Sequence, residues 1–423
     1  MLPQSTAAVS ALAEQYRAVR SFTEHLCETL ETEDYVIQSM TDCSPIRWHL
    51  AHTTWFFETF VLGEFQEGYR PLDPQYAFLF NSYYIQAGER FDRPRRGLLS
   101  RPTVAEIYAF RSHVDAAMER FLASGDKDVL ARAQPVLEIG LNHEQQHQEL
   151  MLTDVKHLLA QNPLNPVFRT VDLPKSEPQD HAWIRFDEGI RHVGHVGDGF
   201  CYDNETPRHR VFLEPFELGN RPVTNGEFAA FIEAGGYRNP LVWLSEGWNL
   251  VESEGWSKPL YWERHDSGWH AFTLTGVKPL DPNAPACHLS FFEADAYARW
   301  AGARLPTEFE WEAARAEAAN QQEGHFVDEG HFHPVGAAAP RDALAQMAGD
   351  VWEWTSSSYG PYPGYTPPPG ALGEYNGKFM SNQYVLRGGS CATTRSHIRD
   401  TYRNFFPTHA RWQFSGVRLA RTV

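Results

Sequence analysis

Two histidines four residues apart, His143 and His147, are the residues whose types and spacing point most directly to chemistry. They lie in a long stretch with helical periodicity, where side chains four apart share one face, so both imidazoles can bind one metal ion. The motif also satisfies H-E-x-x-H, the zinc peptidase pattern in which a glutamate, here Glu144, is the general base. The other interpretation is two solvated histidines on a polar helix face. The spacing predicts a metal site and leaves the metal open.

A third ligand is needed to choose between reactions. A zinc peptidase would take it downstream, where Asp154 and His157 are the nearest candidates. His157 lies about 15 Å beyond His147 along a continuous helix, so it cannot share the ion. A facing helix offers His49 and His52 instead. Three neutral imidazoles can hold zinc or Fe(II), so zinc hydrolysis and iron-dependent oxygen chemistry both remain open on spacing alone.

The elements that must position these residues are four helices in the first half of the chain. Periodicity predicts helices at about 7–30 and 127–160, an N-cap and proline at 44–45 start another, and a capping box at 103–106 starts the remaining one. A long aromatic-rich connection covers 66–101. The pattern predicts a four-helix bundle, in which metal sites are built from facing helices.

A change of pattern divides the chain into two domains. Prolines punctuate residues 163–180, which we interpret as a linker between a helical domain at 1–162 and a second domain at 181–423. The second domain has short strand signals, such as 209–213 and 384–386, and helix signals at about 224–234 and 291–301, with a further short helix at 308–316. The chain is therefore predicted to be multidomain, α followed by irregular α+β.

Composition narrows the class of partner. A formal net charge of -17 argues against nucleic acid and against anionic membrane surfaces, because both would repel the protein. The five cysteines are scattered and include no C-x-x-C pair, which favours a reducing compartment. The N-terminus lacks a leader pattern and no apolar run is long enough to span a membrane, so we expect a cytoplasmic protein with no membrane partner. The oligomeric state is unknown from the sequence.

Several motifs, taken in order, resemble one family. Residues 44–56 (SPIRWHLAHTTWF) and 143–147 (HEQQH) resemble the DinB-like domain of the EgtB-type sulfoxide synthases of ergothioneine biosynthesis. The second half resembles the formylglycine-generating-enzyme fold, which is related to C-type lectins, at residues 204–209 (NETPRH), 222–225 (PVTN), 304–311 (RLPTEFEW), 349–354 (GDVWEW) and 387–390 (RGGS). The resemblance covers nearly the whole chain.

The resemblance implies an iron enzyme. The family's three-histidine Fe(II) site falls on His52, His143 and His147, with His49 as a fallback ligand one turn away. Such enzymes use O2 to join a cysteine-type thiol to the imidazole of hercynine, the trimethylated betaine of histidine, and leave a sulfoxide. Tyr83 and Tyr84 resemble a tyrosine pair that includes a proton donor, with aromatic packing as the alternative role.

The resemblance also implies substrate contacts. Aromatic faces attract a trimethylammonium group, which donates no hydrogen bond. They are supplied by residues 402–406 and 411–416, in which Asn404 and Phe405 would contact the betaine, with Phe406 and Trp412 as neighbours, although Trp412 also suits a core position. Gln146 would hold the imidazole.

The thiol substrate carries a carboxylate and an amino group. Arginines of the long connection, Arg90, Arg93 and Arg96, could bind the carboxylate bidentately, although charges on a loop are more often solvated. Asp42 could bind the amino group of a cysteine-like donor.

Related reactions remain open on the same scaffold. Selenoneine synthases take a selenosugar as donor, ovothiol synthases modify histidine, and free cysteine competes with gamma-glutamylcysteine as the thiol. A zinc peptidase and a lectin-like binding protein are the alternatives from other classes. A copper site of the formylglycine-generating type is not expected, because Cys391 lacks a neighbouring cysteine.

Overall fold

The computed structural model describes residues 4–124, 126–178, 180–318, 323–336 and 341–423. Residues 1–3 belong to the N-terminus that is expected to lack a leader, and residue 179 belongs to the expected linker. Both lie outside the described residues. The chain forms two compact units. The first comprises Met1–Pro163 with Pro369–Tyr375, and the second comprises Leu164–Pro368 with Asn376–Val423. The segment Pro369–Tyr375, assigned by the sequence to the second domain, therefore belongs to the first unit.

The first unit is the helical bundle that the sequence predicts. Its helices are α1 (Gln4–Cys27), α2 (Ile46–Phe57), α3 (Gly63–Phe65), α4 (Tyr76–Phe80), α5 (Val104–Ser124) and α6 (Lys127–Ala160). A π-helical turn at Glu58–Leu62 joins α2 to α3, and 3-10 turns at Ile85–Ala87 and Arg93–Leu98 interrupt the long connection. Helix α6 packs against α1 and α2, and α2 packs against α5.

Helix α6 is the central element of this bundle. Asp126 caps its N-terminus by accepting hydrogen bonds from the backbone N–H groups of Asp128 and Val129. Gly140 lets α2 approach closely, because a Cβ at this position would lie 2.7 Å from a ring atom of Phe57. The histidine-bearing turn that follows Gly140 is thus held against α2.

The second unit is the irregular α+β domain that the sequence predicts. Its strands are β1 (Trp183–Phe186), β2 (Gly189–Val193), β3 (His209–Leu213), β4 (Phe216–Gly219), β5 (Trp262–His265), β6 (Gly268–Thr273), β7 (Gly276–Pro279), β8 (Trp352–Ser358), β9 (Tyr384–Arg387), β10 (Asn404–Phe406), β11 (Ser415–Gly416) and β12 (Ala420–Thr422). They form four small sheets, ordered β1-β4-β12, β10-β9-β8-β11, β2-β3 and β5-β6-β7.

Among the described residues of this unit, four helices accompany these sheets: α7 (Asn225–Glu233), α8 (Ser245–Glu254), α9 (Phe291–Trp300) and α10 (Glu308–Glu317). The sequence predicts three of them, and their N-caps Thr224, Ser290 and Thr307 each complete a capping box. Helix α8 is missed because Leu244 provides no side-chain cap and Gly247 weakens the helix signal. Gly247 is needed there, since a Cβ would lie 2.7 Å from Cβ of Phe292. In the described ranges, no helix is both long and apolar enough to cross a membrane.

Candidate metal centre

Three histidines of the first unit converge in its interior. His52 lies on α2, His143 and His147 lie one turn apart on α6, and one ring nitrogen from each lies within 4.8 Å of the others. All three side chains are buried. Nε2 of His52 and Nε2 of His143 are 3.1 Å apart. The structure therefore brings together the three residues that the family resemblance implies as metal ligands.

The ring of His52 is held on its edge and on both faces. Its Nδ1–H donates to the Phe80 carbonyl oxygen at 2.6 Å, which leaves the Nε2 lone pair facing the other histidines. Trp48 and Trp55, one turn before and one turn after on α2, stack on the ring with centroid distances of 4.6 and 5.5 Å. The guanidinium of Arg96 covers the Trp48 ring at 3.3 Å from its centroid. His52 is thus fixed in orientation.

The electrostatics keep these rings neutral. Burial lowers the pKa of His143 to about 3, and burial together with the neighbouring histidines holds the pKa of His52 and of His147 well below the usual value. The buried Nδ1 of His143 has no hydrogen-bond partner among the described residues. Neutral imidazoles with converging lone pairs fit a divalent ion that favours nitrogen ligands, such as zinc or Fe(II).

Glu144 does not face this centre. Arg20 on α1 and Arg111 on α5 bind its carboxylate, and Thr23 donates a hydrogen bond to it. Burial alone would raise the pKa of Glu144, but the two guanidinium groups outweigh burial and lower it to about 2. A carboxylate held between two arginines is not available as the general base of a peptidase.

His49, the fallback ligand, contacts one of the three histidines from α2. Its Nδ1 is 2.8 Å from Nδ1 of His147, and its Nε2 is 3.0 Å from Oδ2 of Asp154. Asp154, one of the downstream candidates for a peptidase ligand, is therefore a partner of His49. The other, His157, contacts Ser39 through its Nδ1 at 2.7 Å.

Tyr375 is a residue of this site that the sequence did not indicate. Its ring centroid lies 5.7 Å from that of His143, and its hydroxyl donates a hydrogen bond to Oε1 of Gln146. The adjacent Glu374 accepts hydrogen bonds from the backbone N–H groups of Ile85 and Gln86, at 3.0 and 2.9 Å, and anchors the segment. No local pattern marks Tyr375, because it follows a proline- and glycine-rich stretch without periodicity.

The tyrosine pair of the long connection has two different environments. Tyr84 is fully buried, and its ring packs against Phe60 and Trp55 at 5.2 and 5.8 Å. Tyr83 is half-buried and its ring lies 4.6 Å from that of Tyr84 and 6.4 Å from that of Tyr375. Tyr84 occupies a core position, whereas Tyr83 lies next to the tyrosine that contacts His143.

The expected binders of the thiol substrate lie at the surface of the first unit. Arg90 and Arg93 are exposed, and Asp42 is half-buried. Arg93 donates a hydrogen bond to the backbone carbonyl of Asp42. Arg96 differs from them, because it is buried on Trp48 and donates to the Ser44 hydroxyl at 2.9 Å.

The expected binders of the betaine lie in the second unit, on and after β10. Phe405 stacks on Tyr359, with centroids 4.0 Å apart and an interplanar angle of 12°. Asn404 and Phe406 are half-buried like Phe405. Trp412 is buried and meets the edge of Phe406 at 6.5 Å, in agreement with the core alternative for that residue.

Known proteins resemble both halves of the chain. Residues 15–151 match the DinB superfamily, and residues 170–423 match the sulfatase-modifying factor enzyme 1-like domain. A hercynine oxygenase of Mycobacterium tuberculosis is 34% identical over 412 residues, which cover 89% of this chain and 91% of the relative. A hercynine oxygenase of Mycolicibacterium thermoresistibile is 33% identical over 421 residues, which cover 90% of this chain and 88% of the relative.

A formylglycine-generating enzyme of Streptomyces coelicolor is 32% identical over 260 residues, which cover 51% of this chain and 78% of that enzyme. This match extends over part of the chain, whereas the hercynine oxygenases match both halves. The three buried histidines lie within residues 15–151, the part of the chain that matches the DinB superfamily. The chain is therefore an oxygenase and belongs to the hercynine oxygenase, or EgtB, family.

Proposed function

We propose that this protein is an iron(II)- and O2-dependent sulfoxide synthase that joins the sulfur of a cysteine-type thiol to the imidazole of hercynine. The observation that carries the proposal is the convergence of His52, His143 and His147 as neutral, buried imidazoles in a chain of this family. The reaction balances: the C–H and S–H hydrogens leave with one oxygen atom as water, the other oxygen atom remains on sulfur, and a C–S bond forms. The scattered cysteines support a cytoplasmic setting.

The three histidines would hold the iron. A bound Fe(II) with three neutral ligands keeps its full positive charge and supplies O2 activation and a Lewis-acidic point that orients both substrates. The protein contributes three buried imidazole rings as ligands. The indole faces on both sides of His52 restrict rotation of that ring.

Tyr375 is the proposed proton donor. Its hydroxyl is held by Gln146 beside His143, and a phenol can donate a proton or a hydrogen bond while uncharged at neutral pH. Tyr83, whose ring is next to that of Tyr375, is the second candidate. Gln146, besides orienting Tyr375, has a side-chain amide that suits an imidazole nitrogen of the substrate.

The proposal includes the substrate contacts that the resemblance implies. Phe405, which is half-buried and stacks on the buried ring of Tyr359, would contact the trimethylammonium group. Arg90 and Arg93, which are exposed, would bind the carboxylate of the thiol substrate, and Asp42 its amino group.

The test is oxygen consumption by the Fe(II)-loaded protein, with the products identified by mass spectrometry. Hercynine is offered with cysteine, gamma-glutamylcysteine or a selenosugar in separate reactions, and histidine replaces hercynine in a parallel set. Uptake that requires hercynine and one thiol, with a sulfoxide product, supports the proposal and names the donor. The zinc-loaded protein is the control and should consume no oxygen.

Other outcomes select other reactions. A product that contains selenium would identify a selenoneine-type enzyme. Oxygen uptake that occurs with histidine as the acceptor, but not with hercynine, would identify an ovothiol-type enzyme. Absence of uptake with every donor, from protein that retains its iron, would overturn the proposal.

A further inference from the structure

Three side chains form a continuous line of contacts from one of the histidines into the bundle. Oδ2 of Asp154 lies 3.0 Å from Nε2 of His49, and Nδ1 of His49 lies 2.8 Å from Nδ1 of His147. All three side chains are buried. Asp154 follows His147 by two turns of α6, and His49 reaches across from α2 to contact both. This line does not involve Glu144, which binds Arg20 and Arg111.

The positions of the protons follow from the chemistry of the donors and acceptors. Oδ2 of Asp154 also accepts the backbone N–H of Ser44 at 2.8 Å, so it faces two donors. A carboxylate only accepts hydrogen bonds, so Nε2 of His49 carries a hydrogen, and the Nδ1 of a neutral His49 then carries a lone pair. The 2.8 Å contact therefore requires a hydrogen on Nδ1 of His147. The lone pair of His147 is left on Nε2.

We propose that Asp154 and His49 are positioning residues that fix His147 in the tautomer whose Nε2 can bind the metal. The Phe80 carbonyl does the same for His52 with a single hydrogen bond. For His147 the anchor ends in a carboxylate, which also increases the basicity of the ring as a ligand. The proposal rests on the metal-binding part of the proposed function and is independent of the reaction.

The competing explanation is that the same contacts only join α2 to α6. Both explanations expect some loss of stability when Asp154 or His49 is changed. Only a positioning role ties the identity of the protonated nitrogen of His147 to His49. The variants are therefore chosen to retain or to remove the hydrogen bond at Nδ1 of His147.

Asp154→Asn removes the charge and keeps the polarity, because an asparagine oxygen can still accept from Ser44 N–H and from Nε2 of His49. His49→Gln keeps the polarity, because its amide nitrogen can donate to Asp154 while its oxygen accepts from His147. His49→Phe removes both hydrogen bonds. Asp115→Asn is the matched control, since Asp115 binds Tyr16 and Arg20 in the same bundle.

The first measurement is the protonation of the ring nitrogens in metal-free protein labelled with 15N-histidine, observed by long-range proton–nitrogen NMR. We expect His147 to be protonated at Nδ1 in the native protein and in Asp154→Asn, His49→Gln and Asp115→Asn, and to be divided between the two ring nitrogens in His49→Phe. The second measurement is zinc affinity by competition with a chelator. Asp154→Asn and His49→Phe should lose affinity by about 10–100-fold, and His49→Gln should remain within a few-fold of the native protein.

Far-UV circular dichroism and thermal unfolding identify any variant that fails to fold. The proposal is overturned if folded His49→Phe keeps His147 protonated at Nδ1 alone, or if it binds zinc as tightly as the native protein does. Neither measurement requires turnover. A failure of the oxygen-consumption experiment would therefore leave this result intact, and the reverse also holds.

Discussion

Glu144 accepts a hydrogen bond from Arg111, with Nη2 of the arginine 2.6 Å from Oε1 of the glutamate. Both side chains are fully buried, and Arg20 binds the other carboxylate oxygen at 2.9 Å. The residue that a zinc peptidase would use as its base therefore ties α1 and α5 to α6. In this chain the two histidines of the H-E-x-x-H motif lie at the candidate metal site on one face of α6, and its glutamate lies in an ionic cluster on another face.

Glu144→Gln should destabilise the first unit by about 3–5 kcal/mol, because Arg20 and Arg111 lose the fully buried carboxylate and keep only the more exposed Asp115 and Glu24 as partners. Urea unfolding followed by circular dichroism measures the change. Glu119→Gln is the matched control, since Glu119 forms an exposed pair with Arg17 at 3.0 Å and should cost at most about 1 kcal/mol. Equal stability of the two variants would contradict the structural role of Glu144.

His147→Ala should lower zinc and Fe(II) affinity by more than the roughly 100-fold that loss of an outer partner can cost. His157→Ala, ten residues further along the same helix, should bind metal like the native protein, because His157 contacts Ser39 instead. Isothermal titration with each metal measures both. Loss of metal in the His157 variant would instead support a downstream ligand of the peptidase type.

Tyr375→Phe should reduce kcat for sulfoxide formation by about 100- to 10,000-fold, because it removes the hydroxyl proposed to donate a proton. Its metal affinity should be unchanged. Tyr84→Phe should have little effect on kcat, since Tyr84 lies in the core, and Tyr83→Phe should fall between them. Steady-state kinetics rank the three variants, and a larger loss for Tyr84 than for Tyr375 would reverse the assignment.

Phe405→Leu should raise KM for hercynine by about 2- to 30-fold, which corresponds to a cation–π contribution of about 0.5–2 kcal/mol. KM for the thiol should not change. Phe212→Leu, at an exposed position of the same unit, is the control. An equal rise of both KM values in Phe405→Leu would indicate a general disturbance of the unit and not loss of a betaine contact.

Acid should weaken the second unit through His397. Burial holds the pKa of this histidine well below its usual value near 6.5, with Arg399 adding to the effect. Below pH 6.5 the unfolded chain binds a proton that the folded unit does not, so stability falls as pH decreases, by up to about 1.4 kcal/mol per pH unit. His397→Gln should remove this part of the slope in hydrogen exchange of β9 amides, whereas exposed His409→Gln should not.

The parts of the site that depend on local pattern could be predicted from the sequence. Helix α6 has the bounds that its periodicity indicates, and the four-residue spacing of His143 and His147 places them on one face. Spacing could not choose between His49 and His52. That choice depends on which ring α2 turns toward α6, and the resemblance to the family supplied it.

Other parts depend on contacts between distant segments. Tyr375 meets Gln146 across 229 positions of sequence, so no window of residues reveals the pair. Asp154 has the ligand chemistry and the helical face that a metal site needs, but its oxygen is taken by His49. Such outcomes follow from the packing of whole elements, which residue types alone do not determine.

The short segment Pro369–Tyr375 makes the first unit discontinuous in the gene. The first unit takes its histidines from the beginning of the chain and Tyr375 from near the end, with most of the second unit encoded between them. A gene that lost its second half would keep the three imidazoles and lose the tyrosine beside them. Under the proposed function, such a gene would encode the metal ligands without the proposed proton donor.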